Sequence, residues 1–118
     1  MIRNSYIISK DLKLEQIIDR MYLNKNRGLV VLEKKKVIGI ITDGEIFKSW
    51  YYKKNMSATA GSIMNKSFKF VENKNRERVK KIFSQQTCTF IPVVNKKMEL
   101  VDIINLDDFF LKKRKITW

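Results

Sequence analysis

The chain contains one unit of sequence twice. Residues 28–32 match residues 91–95, and in the same register residues 37–46 match residues 100–109 without a gap. Most apolar positions fall on apolar positions in both matches, and an acidic residue stands at the same place near the end of each copy. Such a repeat constrains the fold strongly, because each copy must form the same small unit and stacked units bury apolar surface that one unit alone would expose.

The first copy has the pattern of a helix, a hairpin and a second helix. Asp11 is a candidate N-cap. The apolar residues that follow it have the i, i+3, i+4, i+7 spacing of one helical stripe: Leu14, Ile17, Ile18 and Met21. Two β-branched runs, 29–32 and 37–41, flank four charged residues and predict a hairpin. A second helix is predicted to begin near Asp43.

The second copy repeats this order. A short strand is predicted at 68–71, and Asn75 is a candidate cap for the helix that follows it. Residues 90–94 and 100–104 predict a hairpin, and a last helix comes after it. Pro92 has no backbone N–H, so its strand is expected at the edge of a sheet or with a local irregularity.

These elements predict a mixed fold of the α+β or α/β class. Two β-α-β-β-α repeats are expected to pack sheet to sheet as one pseudo-symmetric module. The first repeat is expected to comprise residues 1–58, with a polar linker at its end, and the second residues 59–118, with a basic C-terminal tail. A short helix is predicted at 60–64.

Composition excludes several kinds of chemistry. The sequence has no histidine and a single cysteine, Cys88, which rules out histidine catalysis, histidine ligation of a metal and a zinc cluster. Its four glycines lack the spacing of a phosphate-binding loop or a dinucleotide fingerprint. We therefore predict a protein that is not an enzyme, has no metal site and requires no cofactor. The lone cysteine and the lack of a long apolar segment predict a reducing, cytoplasmic location without a membrane.

The charge of the chain is strongly positive. Lys and Arg number 25 against 12 Asp and Glu, which gives a formal net charge of +13. This excess favours an anionic partner: a nucleotide, a nucleic acid or an acidic membrane surface. The alternative is a genome rich in A and T, which produces Lys, Ile and Asn without selection for binding. The lysines are spread along the chain in pairs and triplets, which argues against a single nucleic-acid-binding face.

The order of the elements and the residues at the strand ends resemble cystathionine-β-synthase (CBS) domains. The segments that carry this resemblance, within residues 7–111, are 27–31, 38–46, 62–66, 90–94 and 101–109. Thr42-Asp43-Gly44-Glu45 is similar to a segment of CBS pairs fused to sugar-phosphate nucleotidyltransferases. The resemblance implies a regulatory module that is either part of such an enzyme or acts on one encoded separately.

The resemblance also implies a nucleotide site at each strand-to-helix junction, formed by a Ser/Thr-x-x-Asp segment. The hydroxyl faces phosphate, the carboxylate accepts hydrogen bonds from ribose hydroxyls, and a helix N-terminus offers free N–H groups to an anion. The first copy supplies Thr42 and Glu45, which can equally form a capping box. The second copy supplies Asn105 and Asp108. The departures from the family pattern are Glu45 for Asp and Asn105 for Ser or Thr.

Further ligand contacts follow from the resemblance by position. Those expected around the base and the junctions are Ile8, Gly28, Ile40, Gly44, Phe70, Phe90, Ile91, Pro92 and Ile103. Arg27 and Lys69 are candidates for contacts to phosphate. The alternative for the apolar residues is ordinary core packing, and the alternative for the two cations is a solvated surface.

The leading prediction is a regulatory module that binds AMP, ADP or ATP and controls a linked or partner enzyme, such as a nucleotidyltransferase. A homodimer is expected, and the aromatic cluster Trp50, Tyr51 and Tyr52 is expected to be partly core and partly dimer contact. Two alternatives stay open. One is a basic nucleic-acid-binding protein, and the other is a degenerate CBS pair used only for dimerisation.

Overall fold

The computed structural model describes residues 4–52, 56–85, 88–111 and 115–118. Its contacts divide the chain into two compact units, the first ending at Phe68 and the second comprising Lys69–Trp118. The first unit contains a 3-10 turn (Asn4–Tyr6), β1 (Ile7–Ile8), α1 (Leu14–Asn24), β2 (Gly28–Glu33), β3 (Lys36–Thr42), α2 (Asp43–Tyr51) and α3 (Ala60–Ile63). The second contains α4 (Arg76–Gln85), β4 (Phe90–Val94), β5 (Leu100–Asn105) and α5 (Leu106–Leu111).

Helix α1 begins later than the sequence predicts. Its N-cap is Lys13, whose backbone N–H donates to the Gln16 side chain at 3.0 Å. The expected cap, Asp11, is wrong, because its backbone N–H is bonded to the Ser9 hydroxyl in a turn before the helix. The predicted apolar stripe is confirmed, since its residues are buried in the core of the first unit or packed against it.

The sheet of the first unit has the order β1-β2-β3. Strand β1 pairs with β2 in parallel, and β2 pairs with β3 as an antiparallel hairpin. The hairpin turn is shorter than predicted: Glu33 pairs with Lys36, so only Lys34 and Lys35 form it, both at positive φ. Positive φ at both central residues is what a tight two-residue hairpin turn requires.

The short helix predicted at 60–64 is confirmed as α3, and it belongs to the first unit. Ala60 and Ile63 are buried in the first core. Just after α3, Asn65 exchanges two backbone hydrogen bonds with Ile40 on β3, at 3.1 and 2.8 Å. The division between the compact units therefore falls after Phe68, whereas the repeat boundary between residues 58 and 59 stays a prediction.

The glycine at position 39 is required by this docking. A Cβ there would lie 2.6 Å from Met64 Sδ and 2.7 Å from its Cγ. Contacts that short do not occur in proteins, so Met64 covers β3 only because position 39 has no side chain.

The second unit is built on the two-stranded sheet β4-β5. Asn75 caps α4, accepting a hydrogen bond from the Arg78 N–H at 3.1 Å, as predicted. The strand predicted at 68–71 is wrong in length, because only Val71 forms a bridge, to Val93. Strand β4, which contains Pro92, pairs with β5 on one side and has the single Val71 bridge on the other, and its ladder with β5 is irregular after Val93, so the predicted irregularity near Pro92 is confirmed.

The core of the second unit is formed by α4 and the two strands. Its buried members are Val71, Val79, Phe83, Ile91, Val93 and Ile104. Phe109 packs against this core, and the centroid of its ring lies 5.9 Å from the centroid of the Trp118 ring. The Arg76 guanidinium lies over both rings, at 5.6 and 5.8 Å from their centroids. The predicted mixed fold of helices and sheets is confirmed within the two units.

None of the helices among the described residues is both long enough and apolar enough to cross a lipid bilayer.

Candidate functional site

The first strand-to-helix junction is closed by its own side chains. Strand β3 ends at Thr42, which is the N-cap of α2. The Glu45 Oε1 atom accepts one hydrogen bond from the Thr42 backbone N–H and one from the Thr42 hydroxyl, both at 2.7 Å. This is the capping-box arrangement that the sequence offered as the alternative to a ligand role. In this conformation the hydroxyl and the carboxylate expected to hold a nucleotide are bonded to each other.

Gly44 has no structural reason to be glycine. It is exposed in the first turn of α2, and its φ is not positive. A Cβ at this position would meet only the Thr42 hydroxyl, at 3.6 Å, which is an ordinary contact. Glycine weakens a helix relative to alanine, so a residue without a conformational or packing need is a candidate for close approach by a ligand.

A surface cavity of about 570 Å³ opens beside this junction. It is lined by Met21, Tyr22, Leu23, Lys25, Asn26, Arg27 and Asp43. Gly28, the first residue of β2, pairs with Thr42, the last residue of β3. Arg27 precedes Gly28 and Asp43 follows Thr42, so the cavity lies where β2 begins and β3 ends. Its volume is in the range of small-molecule sites, and its lining combines apolar side chains with two cations.

At the second strand-to-helix junction the two matching side chains interact more weakly. Strand β5 ends at Asn105, and its side-chain amide reaches the Asp108 carboxylate at 3.4 Å, the outer limit for a hydrogen bond. Asp108 is partly exposed. Within the part of the chain that the structure describes, the carboxylate expected to contact ribose therefore accepts no short hydrogen bond.

Thr89 adds a feature to this junction that the sequence analysis missed. Its carbonyl accepts the Leu106 N–H at 2.9 Å, which fixes it beside the β5–α5 corner. Its hydroxyl oxygen is buried and has no hydrogen-bond partner among the described residues. In the register of the repeat Thr89 corresponds to Asn26, whose side-chain amide donates to the Ser5 carbonyl at 2.9 Å. The sequence signal that could have identified Thr89 is that both copies of the repeat have a polar residue at this position.

The remaining predicted contacts fall into two groups. Several lie in the interior, namely Ile8, Gly28, Ile40, Phe90, Ile91 and Pro92. Ile91 has no exposed surface and belongs to the second core, so its side chain acts as core in this conformation. Phe70 and Ile103 are partly exposed, and Arg27 and Lys69 are exposed. The structure thus groups Arg27, Gly28, Ile40, Thr42, Gly44 and Glu45 in the first unit, and Phe70, Ile91, Pro92, Ile103, Asn105 and Asp108 in the second.

The aromatic cluster at the end of α2 is not part of any core. Trp50 is 78% exposed, Tyr51 79% and Tyr52 65%. The expectation that part of the cluster is core is wrong, because Ile46 and Ser49 occupy the inner side of the helix.

The acidic and sulfur-containing side chains provide little for catalysis or metal binding. Burial raises the pKa of the Cys88 thiol, which keeps it in the less nucleophilic protonated form. Across the described ranges, no group of three or more Cys, Asp or Glu residues is placed to hold a metal ion.

One family model matches the N-terminal part of the chain. Residues 1–51 match the family model of the CBS domain. A comparison with curated proteins gives no match.

Solved structures resemble the chain over most of its length. CBSX2, solved in complex with AMP, is 16% identical, and the likeness covers 92% of this chain and 87% of that one with a TM-score of 0.80. A CBS domain-containing protein from Thermotoga maritima is 21% identical, with 98% and 92% covered and a TM-score of 0.78. The CBS domains of a transcriptional regulator from Streptococcus pneumoniae are 18% identical, with 94% and 93% covered and a TM-score of 0.78. At these identities the likeness shows the fold, which is that of CBS-domain proteins.

Proposed function

We propose that this protein, which has the fold of CBS-domain proteins and matches the CBS-domain family model over residues 1–51, is a regulatory module that binds an adenine nucleotide. The observation that carries the proposal is the open second junction. Among the described residues, the Asp108 carboxylate has only a 3.4 Å contact to Asn105, and the nearby Thr89 hydroxyl has no partner. A buried hydroxyl without a hydrogen bond is costly, and a ligand oxygen would satisfy it.

The chemistry of the junction fits a nucleoside. A carboxylate is the natural acceptor for two vicinal ribose hydroxyls, and we assign this role to Asp108. Asn105 can donate to a phosphate oxygen. Phe70 and Ile103 are partly exposed apolar residues of the same unit and supply surface for the base. AMP in the CBSX2 structure supports an adenine nucleotide as the ligand class.

The first junction has a different composition and suits the anionic part of a ligand. Its capping box occupies Thr42 and Glu45, while the neighbouring cavity includes Lys25 and Arg27. Gly44 leaves the first turn of α2 open to close approach, and the positive end of the helix dipole attracts phosphate. We assign this junction a phosphate-binding role.

A thermal-shift screen with AMP, ADP, ATP, CMP, S-adenosylmethionine and NAD tests the ligand class. A nucleotide at about 100 times its dissociation constant should stabilise the fold by about 2.7 kcal/mol. Asp108→Ala should abolish the shift. Asp107→Ala removes the same charge from the adjacent residue and should leave the shift in place. A flat screen with the unmodified protein would favour a module used only for assembly.

Gly44→Ala separates a ligand role from a structural one at the first junction. Alanine fits the space and favours the helix, so the free protein should be more stable by about 0.5 kcal/mol. If phosphate approaches position 44, the same variant should bind nucleotide at least about tenfold more weakly. Unchanged affinity would remove Gly44 from the site.

The wider biological role is also a proposal. We propose that the module forms a homodimer and passes nucleotide occupancy to a separate or linked enzyme, such as a sugar-phosphate nucleotidyltransferase, without itself being catalytic. The lone Cys88 is consistent with a cytoplasmic location.

A further inference from the structure

The C-terminal segment, residues 115–118, lies against the core of the second unit. Ile116 is partly buried and packs against this core. The Trp118 ring stands nearly perpendicular to the Phe109 ring, with an interplanar angle of 82°. The Arg76 guanidinium lies 5.6 Å from the centroid of the Phe109 ring and 5.8 Å from that of the Trp118 ring. These geometries are those of favourable edge-to-face and cation–π contacts, and we call Arg76, Phe109 and Trp118 the ring clamp.

Helix α5 depends on tertiary contacts for its position. It has six residues, none of them buried, and a helix of this length is not stable on its own. Leu106 and Phe109 are its residues that pack against the second core. The rings of Phe109 and Phe110 also contact the Phe83 ring, with centroid distances of 5.6 and 6.1 Å. The ring clamp therefore acts on a residue that attaches α5 to the core, directly after Asp108 in the chain.

The first copy cannot form the ring clamp with the same residue types. In the register of the repeat, Phe109 corresponds to Ile46, which has no ring. Helix α2 has nine residues and is closed at its start by its capping box. Helix α5 is shorter, and the matching contact between Asn105 and Asp108 is 3.4 Å long. The ring clamp thus stands at the junction whose own side chains interact more weakly.

We propose that the C-terminal segment is a positioning element for the nucleotide site of the second unit. Trp118 and Arg76 hold Phe109 and thereby fix α5, which keeps Asn105 and Asp108 where they meet the ligand. Docking of the segment and nucleotide binding then favour each other, because coupling between two sites is reciprocal. Any contact that draws Trp118 away from Phe109 should therefore lower the affinity for nucleotide. The coupling rests on the proposed nucleotide function, whereas the clamping of α5 does not.

Hydrogen exchange of the free protein tests the clamping of α5. Trp118→Ser should speed exchange of the α5 amides at least about fivefold, since it removes a ring pair and a cation–π contact. Trp118→Phe retains an aromatic ring and should change the rate by less than about twofold. Trp50→Ser, the same change at a 78% exposed tryptophan of the first unit, is the matched control and should leave the rate unchanged. The β4 amides are the internal reference, because a general loss of stability would speed their exchange as well.

Calorimetric titration with AMP, the nucleotide in the CBSX2 structure, and in parallel with ATP tests the coupling. Trp118→Ser should bind at least about fivefold more weakly than the unmodified protein, and Trp118→Phe should restore most of the affinity. The reverse effect is measured in Trp50→Phe, in which Trp118 is the one remaining tryptophan of the sequence. Saturating nucleotide should lower the acrylamide quenching of Trp118 fluorescence, because the ligand favours the docked segment.

Three results would overturn the inference. Equal α5 exchange in Trp118→Ser and in the unmodified protein would show that the ring clamp does not hold the helix. Faster exchange with unchanged nucleotide affinity would show that the contact serves structure alone. Failure of Trp118→Phe to restore either property would mean that the ring is not the cause. If Trp118→Ser does not fold, Arg76→Gln, which removes the cation over both rings, takes its place.

The two measurements separate this inference from the proposed function. If the unmodified protein binds neither AMP nor ATP, the nucleotide proposal and the coupling are both wrong, while faster α5 exchange in Trp118→Ser would still support the ring clamp. If nucleotide binds the unmodified protein and Trp118→Ser equally, the coupling alone is wrong.

Discussion

At the first junction the Glu45 carboxylate accepts two hydrogen bonds of 2.7 Å from Thr42, whereas at the second the Asp108 carboxylate has a hydrogen-bond contact with Asn105 at 3.4 Å and with no other described residue. The two pairs occupy matching positions of the repeat. Glutamate has one methylene more than aspartate, and that length lets its carboxylate fold back onto its own N-cap. The first junction therefore stabilises its helix, and the binding role of the Asp108 carboxylate at the second stays a proposal.

The same divergence continues along the neighbouring strands. Gly39 on β3 makes room for Met64, while its counterpart Asp102 on β5 forms an ion pair with Lys74. Their shared position thus serves packing in one unit and electrostatics in the other. Sequence repeats preserve backbone geometry, and side chains at matching positions are free to take different roles.

The largest effect is expected from Asp102→Ala. The Asp102 and Lys74 side chains are only 17% and 21% exposed, and Asp102 also accepts the Ile103 N–H at 2.7 Å. Removing the carboxylate leaves a mostly buried ammonium without its partner, so stability in urea should fall by about 2 to 3 kcal/mol. The double variant Asp102→Ala/Lys74→Met should lose less than the single one. An equal loss would show that the ion pair is not the cause.

Gly39→Ala should cost about 1 to 2 kcal/mol in urea unfolding, because the added methyl group overlaps Met64 and forces it to move. Gly44→Ala is the matched control, since the added methyl group makes only an ordinary contact with the Thr42 hydroxyl, at 3.6 Å, and should stabilise the protein. If both glycine variants behave alike, the close packing of Met64 over position 39 is wrong.

Glu45→Ala should destabilise the protein by about 1 kcal/mol, because it removes the acceptor of two hydrogen bonds at the start of α2. Asp108→Ala, the equivalent change in the second copy, should alter stability by less than about 0.5 kcal/mol. Glu45→Gln keeps an oxygen acceptor and should retain most of the stability. Equal losses for the two alanine variants would contradict the difference between the junctions.

The smallest effect is expected in the two hairpin turns. Lys35 and Met98 both have positive φ, at 71° and 64°, a conformation in which glycine avoids the steric cost of a side chain. Lys35→Gly and Met98→Gly should each raise stability by about 0.5 to 1 kcal/mol, measured by thermal melting. A lower melting temperature for either would mean that its turn has another conformation.

Local pattern predicted most of the elements. The apolar stripe of α1, the two hairpins, the cap at Asn75 and the start of α2 follow from spacing and residue type alone. The predictions were wrong where hydrogen bonds that the residue pattern does not show determine where a helix begins or how long a strand is. The turn at Ser9 displaces the cap of α1 from Asp11, and Val71 keeps only a single bridge in place of a strand.

The sequence by itself determined that two copies of one unit exist and which residues occupy their junctions. Only the tertiary structure decided that Glu45 folds back on Thr42, that the Thr89 hydroxyl is buried without a described partner and that the rings of α2 face outward. The physical reason is that periodicity and residue type fix local backbone geometry. Hydrogen-bond partners and exposure depend instead on contacts between residues far apart in the chain or on the side-chain conformations that packing allows.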